Sequence, residues 1–281
     1  MRGSVYPHVK PFPYNPSFQE KFSNKFRTLK GTDLSIPVNE FLIKECQSVK
    51  ALVRGAKFAL SKDILDCLPS LGCIVLNCVG LDHIDLAECR KRGIVIGNAG
   101  AVYSEDVADL AIGLLLDVLR GISSGNQFVR SGLWPINKEF PLGSKDVMLA
   151  LGKKGIIINV GRGPLVDEKE MVRLLVQGEI GGAGLDVFEK EPHVPKELFE
   201  LDNVVLAAHI GWKTEESNSA LHELVISNLE AFFSNKPLLS PVRRVWFRIV
   251  MLDNCRCFGR FRKVLEHTRN PLCRETQGFL V

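Results

Sequence analysis

The chain has 281 residues, enough for about two domains. Its 46% hydrophobic content is that of a soluble globular protein, and no apolar run approaches the roughly 20 residues that cross a bilayer. The net charge of +4 is uneven: residues 243–281 hold nine Lys/Arg against three acids, so the tail carries +6 and the remainder −2, which argues against nucleic-acid binding by the fold.

Residues 1–30 contain four prolines before Ser17 and no apolar run of the kind a secretory signal needs. They read as irregular, with Lys/Phe alternation from Lys21 to Phe26. Strand and helix signals then alternate. Val49 to Val53 reads as a strand closing at Gly55, Lys62 to Leu68 as a helix, and Gly72 to Cys78 as a strand closing at Gly80. Asp85 to Lys91 is a helix and Gly93 to Ile96 a strand, and this βαβ alternation predicts a parallel sheet. Ser104 to Gly121 is a strong helix with acids in its first turn and a glycine at its end. It is apolar nearly all round, which predicts burial between domains or subunits.

Three short apolar runs follow, each ending in polar residues. Gly155-Ile-Ile-Ile-Asn-Val160 leads into Gly161-Arg162-Gly163, Gly184-Leu-Asp-Val-Phe188 into Glu189-Lys-Glu191-Pro192, and Asn203-Val-Val-Leu-Ala-Ala208 into His209-Ile-Gly211. Runs of this kind read as buried parallel strands. A helix from Asp167 to Gly178 separates the first two, with Asp167 as cap and Glu170 at the capping-box position. Glu216 to Phe233 is a last helix, stopped by Asn235-Lys-Pro237. Ligands of open α/β sheets sit beyond the carboxyl ends of the strands. Arg162, Glu191 and His209 all lie just past such ends, which brings a fixed cation, an acid and a base toward one crevice.

The eight cysteines show no paired framework and read as buried, reduced thiols. Cys255-x-Cys257 has no second pair at zinc spacing, so no metal site is expected. His8, His83, His193, His222 and His267 lack the strand-end context and read as surface or structural residues.

The runs Val79-Gly-Leu-Asp-His-Ile-Asp85, Asn159-Val-Gly-Arg-Gly163, Gly184-Leu-Asp-Val-Phe188, His209-Ile-Gly211, Arg130-Ser-Gly-Leu-Trp134 and Asn228-Leu-Glu-Ala-Phe-Phe233 resemble the D-isomer-specific 2-hydroxyacid dehydrogenases. Within that family the wording is most similar to plant glyoxylate/hydroxypyruvate reductases. The resemblance covers about residues 15–241. It implies an α/β architecture: a flavodoxin-like substrate domain beside a truncated Rossmann-like, doubly wound nucleotide-binding domain. Residues 1–96 would form the first and 97–215 the second, with 216–241 as a helix returning to the substrate domain and 242–281 as a non-family basic tail.

The implied activity is reduction of hydroxypyruvate or glyoxylate with NADPH or NADH, giving D-glycerate or glycolate. By the same resemblance Arg162 grips the substrate carboxylate, a geometry that suits a guanidinium fork. His209 protonates the carbonyl oxygen, and Glu191 hydrogen-bonds this histidine and favours its charged form. Val79 and Gly80 bind the carboxylate through backbone N–H groups. Val160, Gly161, Asp186, His209 and Gly211 adjoin the cofactor, with Asp186 at its nicotinamide end. Trp134 is matched more loosely, to a residue lining a neighbouring subunit's pocket.

Two departures accompany the match. A nucleotide-binding half begins with a strand and Gly-x-Gly-x-x-Gly. The nearest string, Gly161-Arg-Gly-Pro-Leu-Val166, has Val at its sixth position and coincides with the arginine motif. By resemblance roughly 70 residues, about two βαβ units, are missing between Lys145 and Asp146. With them go the phosphate-binding turn and the strands beside Ile156 to Val160, so weak cofactor binding and an open sheet edge are expected. The second departure is the tail after Val242. Two readings stay open: a reductase by descent, and a non-catalytic subunit that forms a homodimer or pairs with full-length relatives through the Ser104 to Gly121 helix. The expected partners are a small 2-oxoacid and a second subunit, with no nucleic acid and no membrane. The C-terminal Gly278-Phe-Leu-Val281 is no peroxisomal or retention address, and a cytoplasmic location is expected.

Overall fold

The computed structural model describes residues 3–6, 16–30, 38–54, 59–137, 139 and 155–242. The junction between Lys145 and Asp146 and the tail from residue 243 lie outside them. The chain divides into two compact units, Met1–Tyr103 with Thr214–Val245, and Ser104–Lys213 with Trp246–Val281.

The first unit is built on strands β1 (Gly3–Tyr6), β2 (Arg27–Lys30), β3 (Ala51–Arg54), β4 (Cys73–Leu76) and β5 (Val95–Gly97). They lie in the order β2-β1-β3-β4-β5, and every pairing is parallel. This is the flavodoxin-like order, as expected. Helices α1 (Pro16–Lys25), α2 (Val38–Glu45), α3 (Lys62–Asp66) and α4 (Leu86–Lys91) belong to the same unit. All four residues of β3 and of β4 are buried, which explains their unbroken apolar sequence. Leu52, Leu60, Leu65, Ile74 and Leu76 fill the centre. Asp85 caps α4 by accepting the Glu88 N–H at 2.9 Å.

Residues 1–30 are not irregular throughout. The Lys/Phe alternation there is the imprint of a helix. Phe18, Phe22 and Phe26 recur every fourth position and are all buried, while Lys21 and Lys25 face outward to Glu223 and Glu230.

The second unit opens with α5 (Ser104–Arg120), α6 (Ile122–Arg130) and α7 (Trp134–Asn137). Strand β6 (Ile156–Asn159), helix α8 (Glu168–Val176) and strands β7 (Gly182–Leu185) and β8 (Val204–Leu206) follow. The strands form a parallel sheet in the order β6-β7-β8. Helix α5 lies on one face, close because β7 offers glycines: a Cβ on Gly182 would meet Val118 at 2.7 Å, and one on Gly184 would meet Leu114 at 2.9 Å. On the other face Met171 and Leu175 of α8 pack with Ala183 and Leu185. Asp167 caps α8 through the Glu170 N–H at 3.0 Å.

One expectation for this unit needs correction. Strand β7 ends at Leu185, so Asp186, Val187 and Phe188 lie past its end, where Asp186 N closes the ladder on Asn159 O at 2.9 Å. Helix α5 is covered on one side within this unit. Leu114 and Leu119 are covered, but Ile112 is 56% and Leu116 47% exposed, because the sheet covers only one side of a helix whose opposite side is also apolar.

The chain returns to the first unit as α9 (Glu215–Phe233). Thr214 caps it through the Ser217 N–H, and Leu221, Val225 and Leu229 are buried. Among the described residues no helix is long and apolar enough to cross a membrane. Burial pushes the thiols of Cys46 and Cys89 up to about 11 and that of Cys73 to about 12, as inert core cysteines require.

Candidate active site

The carboxyl ends of β6, β7 and β8 each release one of the expected residues, all within the second unit. After β6 the chain makes a tight turn around the buried side chain of Asn159. Its Nδ2 donates to Arg162 O at 3.0 Å, and its Oδ1 accepts from Gly161 N at 3.2 Å. This carboxamide fixes the backbone of the two residues that follow Val160. Arg162 is exposed and extended, and its Nη1 donates to Gly161 O at 2.7 Å. Gly163 is required by space: a Cβ there would lie 2.0 Å from the carbonyl carbon of Phe188. The arginine turn therefore abuts the loop after β7.

That loop carries Glu191. Its Oε1 accepts from Phe188 N at 3.2 Å and its Oε2 lies 2.8 Å from His209 Nδ1. The carboxylate is thus held on one side by backbone and on the other by the imidazole. Both side chains remain more than a third exposed.

His209 follows β8 with φ of 53°, in the left-handed region that few non-glycine residues adopt. Asp186 holds it there. The carboxylate is 1% exposed, and it accepts Ile210 N at 2.8 Å and Gly211 N at 3.0 Å, while Asp186 O accepts His209 N at 2.8 Å. Three hydrogen bonds to one residue fix the backbone of the histidine turn. Gly211 allows the approach, since a Cβ there would meet Asp186 Oδ2 at 3.2 Å.

The structure thus pairs His209 with Glu191 directly and packs the Arg162 turn against the Glu191 loop. Val79 and Gly80 belong to the first unit, in the loop after β4. Asn98 Nδ2 donates to Val79 O at 2.9 Å, Cys78 Sγ lies 3.5 Å from Gly80 O, and Tyr103 Oη donates to Asn77 O at 3.1 Å. Sequence reasoning missed Asn159 and Asn98 and gave Asp186 no part in shaping the histidine turn. The available signal was a polar residue closing an apolar strand, where burial demands a partner.

Val160, Gly161, Asp186, His209 and Gly211, the residues expected to adjoin a nicotinamide dinucleotide, all lie past the ends of β6, β7 and β8. No strand–glycine turn–helix able to cradle a pyrophosphate exists among the described residues. Nor is there a cluster of His, Cys, Asp and Glu among them that would hold a metal ion.

The chain is 40% identical over 299 aligned positions to a glyoxylate/hydroxypyruvate reductase of Arabidopsis thaliana, covering 80% of this chain and 93% of the relative. It is 35% identical to a hydroxyphenylpyruvate reductase of Plectranthus scutellarioides, covering 72% and 88%. Among solved structures it superposes on an NADPH-dependent glyoxylate/hydroxypyruvate reductase of Sinorhizobium meliloti in complex with NADP and malonate. The TM-score is 0.72 at 29% identity, over 86% of this chain and 96% of that one. Since 80% of 281 residues is about 225, about 74 of the 299 positions aligned to the Arabidopsis relative have no counterpart in this chain. Residues 12–243 match the D-isomer specific 2-hydroxyacid dehydrogenase catalytic domain, and the chain belongs to that family.

Proposed function

We propose that the chain carries the carboxylate-binding and proton-delivering half of a reductase for hydroxypyruvate or glyoxylate. The observation that supports this best is the 2.8 Å contact between His209 Nδ1 and Glu191 Oε2. It leaves Nε2 outside the pair, and from there the imidazole acts as general acid toward the carbonyl oxygen. Arg162 offers its guanidinium to the substrate carboxylate, and the Asn159 turn sets where it stands. Asp186 acts by holding His209 in its left-handed conformation. The first unit takes the part of the substrate domain, with Val79 and Gly80 binding the carboxylate, and the second that of the nucleotide-binding domain. In this family the reducing equivalents come from NADH or NADPH.

The test is NADPH oxidation with hydroxypyruvate, on this chain and on one carrying the missing segment of a close relative between Lys145 and Asp146. In the restored chain turnover is expected, and His209→Ala lowers it by roughly 10²–10⁴-fold. Near-unchanged turnover in that variant would remove His209 from the role.

A second reading is favoured by one surface. Ile112, Leu116, Ile122, Val129, Trp134 and Ile136 of α5, α6 and α7 are between 47% and 74% exposed. A monomer rarely leaves so many large apolar side chains on consecutive helices uncovered. This surface suits a twofold contact with a second copy or with a full-length relative, in the cytoplasm. In that case the chain acts as a subunit whether or not it turns over substrate.

A further inference from the structure

Strand β6 is an edge among the described residues, and its backbone shows which groups face outward. Gly155 O accepts Gly181 N at 2.7 Å, and Asn159 O accepts Asp186 N at 2.9 Å. Residues of a parallel strand alternate in the side to which their backbone groups point. Positions 155, 157 and 159 therefore face β7, while Ile156 and Ile158 present N–H and C=O to the opposite side. No described strand lies there. Edge strands in stable monomers are blunted by charge, proline or a bulge. Ile156-Ile-Ile-Asn159 has no charge, no proline and three half-buried β-branched side chains. A chain short of about 74 aligned positions relative to its homologues has cause to lack the strand that would lie beside it.

We propose that β6 pairs antiparallel with β6 of a second copy of this chain, joining two three-stranded sheets into one of six strands. The strand is self-complementary. With Ile157 opposite Ile157 on a twofold axis, Ile156 faces Ile158 of the other copy at both ends. Each such pair exchanges two N–H···O=C bonds, four in all, and no outward group of these residues is left over. The twofold closes the contact, so association by this edge stops at two copies. The side chains fall correctly as well. Ile158 already packs by Leu114 of α5, and Ile157 by the α8 cluster, so pairing changes neither face. This contact is independent of the reductase reading and of the α5–α7 surface.

The test is amide hydrogen exchange on the full chain across a concentration series, with molecular mass measured in parallel. The amides of Ile156 and Ile158 are expected to slow by on the order of tenfold as a dimer forms. Ile156→Pro removes an N–H that points away from β7, so it should abolish the effect and leave the β6–β7 ladder in place. In Leu116→Glu, which disturbs only the helical surface, the protection should persist. Exchange that is the same at every concentration overturns the proposal, whether fast because the edge stays open or slow because a segment of the same chain covers it. Protection that disappears in Leu116→Glu overturns it too, by assigning the dimer to the helices.

Discussion

At the scale of single residues, the site depends on residues that shape its turns. Gly163 is the sharpest case. Any Cβ there would strike the backbone of Phe188 and Glu189 at 2.0–2.3 Å, and neither backbone is free to yield. Gly163→Ala should therefore cost upward of about 2 kcal/mol and push the Arg162 turn away from the Glu191 loop. Thermal denaturation and the fluorescence of hydroxypyruvate-dependent NADPH oxidation in the restored chain would measure the two effects. A variant as stable as the parent would mean that the loops are loosely packed. His222 gives a second prediction. It is buried, stacks on Phe18 at 4.2 Å, and burial lowers its pKa below the ordinary 6.5, against a smaller upward pull from Glu223. A histidine whose folded pKa is depressed contributes stability above its unfolded value and loses it as pH falls. The first unit should thus weaken as pH drops below about 6.5, and His222→Gln should reduce that acid sensitivity. Melting curves from about pH 8 to pH 5 with equal slopes for both proteins would refute it.

At the scale of elements, α1 and α5 show what a local pattern hides and what it leaves open. In α1 three phenylalanines are spaced for one face, and each buried aromatic contributes about 1.5–3 kcal/mol. The prolines before Ser17 and the intervening lysines hide that period when the segment is read two residues at a time. In α5 the apolar pattern is plain, but a pattern cannot say what covers it. The sheet takes the side with Leu114 and Val118, and the side with Ile112 and Leu116 is left exposed. If that side is a subunit contact, Leu116→Glu should lower the molecular mass in light scattering without lowering the melting temperature. Those two readouts separate an interface residue from a core one, because a core leucine replaced by a charge would unfold the unit.

At the scale of the whole molecule, the shortfall of about 74 aligned positions sets the limits on function. His209, Glu191 and Arg162 follow three neighbouring strands of the second unit, so they are present together. A pyrophosphate cradle needs a glycine turn leading into a helix N-terminus, and none is present among the described residues. NADPH binding should therefore be weaker than micromolar, which corresponds to about −8 kcal/mol. Restoring the segment should bring it back. Fluorescence titration giving micromolar affinity for the chain as it stands would show that another part of the protein holds the phosphates.

The sequence alone determined that Arg162, Glu191 and His209 follow the ends of neighbouring strands. Apolar runs ending in Arg162, Glu191 and His209 are local patterns, and a parallel sheet puts the ends of its strands on one side whatever the loops do. It also determined the parallel sheet of the first unit, because strands and helices alternate in order. Only the tertiary structure decided what holds these residues. Asn159 closes its turn through hydrogen bonds two and three positions along the chain, but Asp186 meets residues 24 and 25 positions away, and Gly163 meets the backbone at Phe188. Such contacts follow from which strands are neighbours, and no local pattern records that. The same holds for exposure: Ile112 and Leu116 are as apolar as Leu114 and Leu119, and the position of the sheet decides which of them are buried.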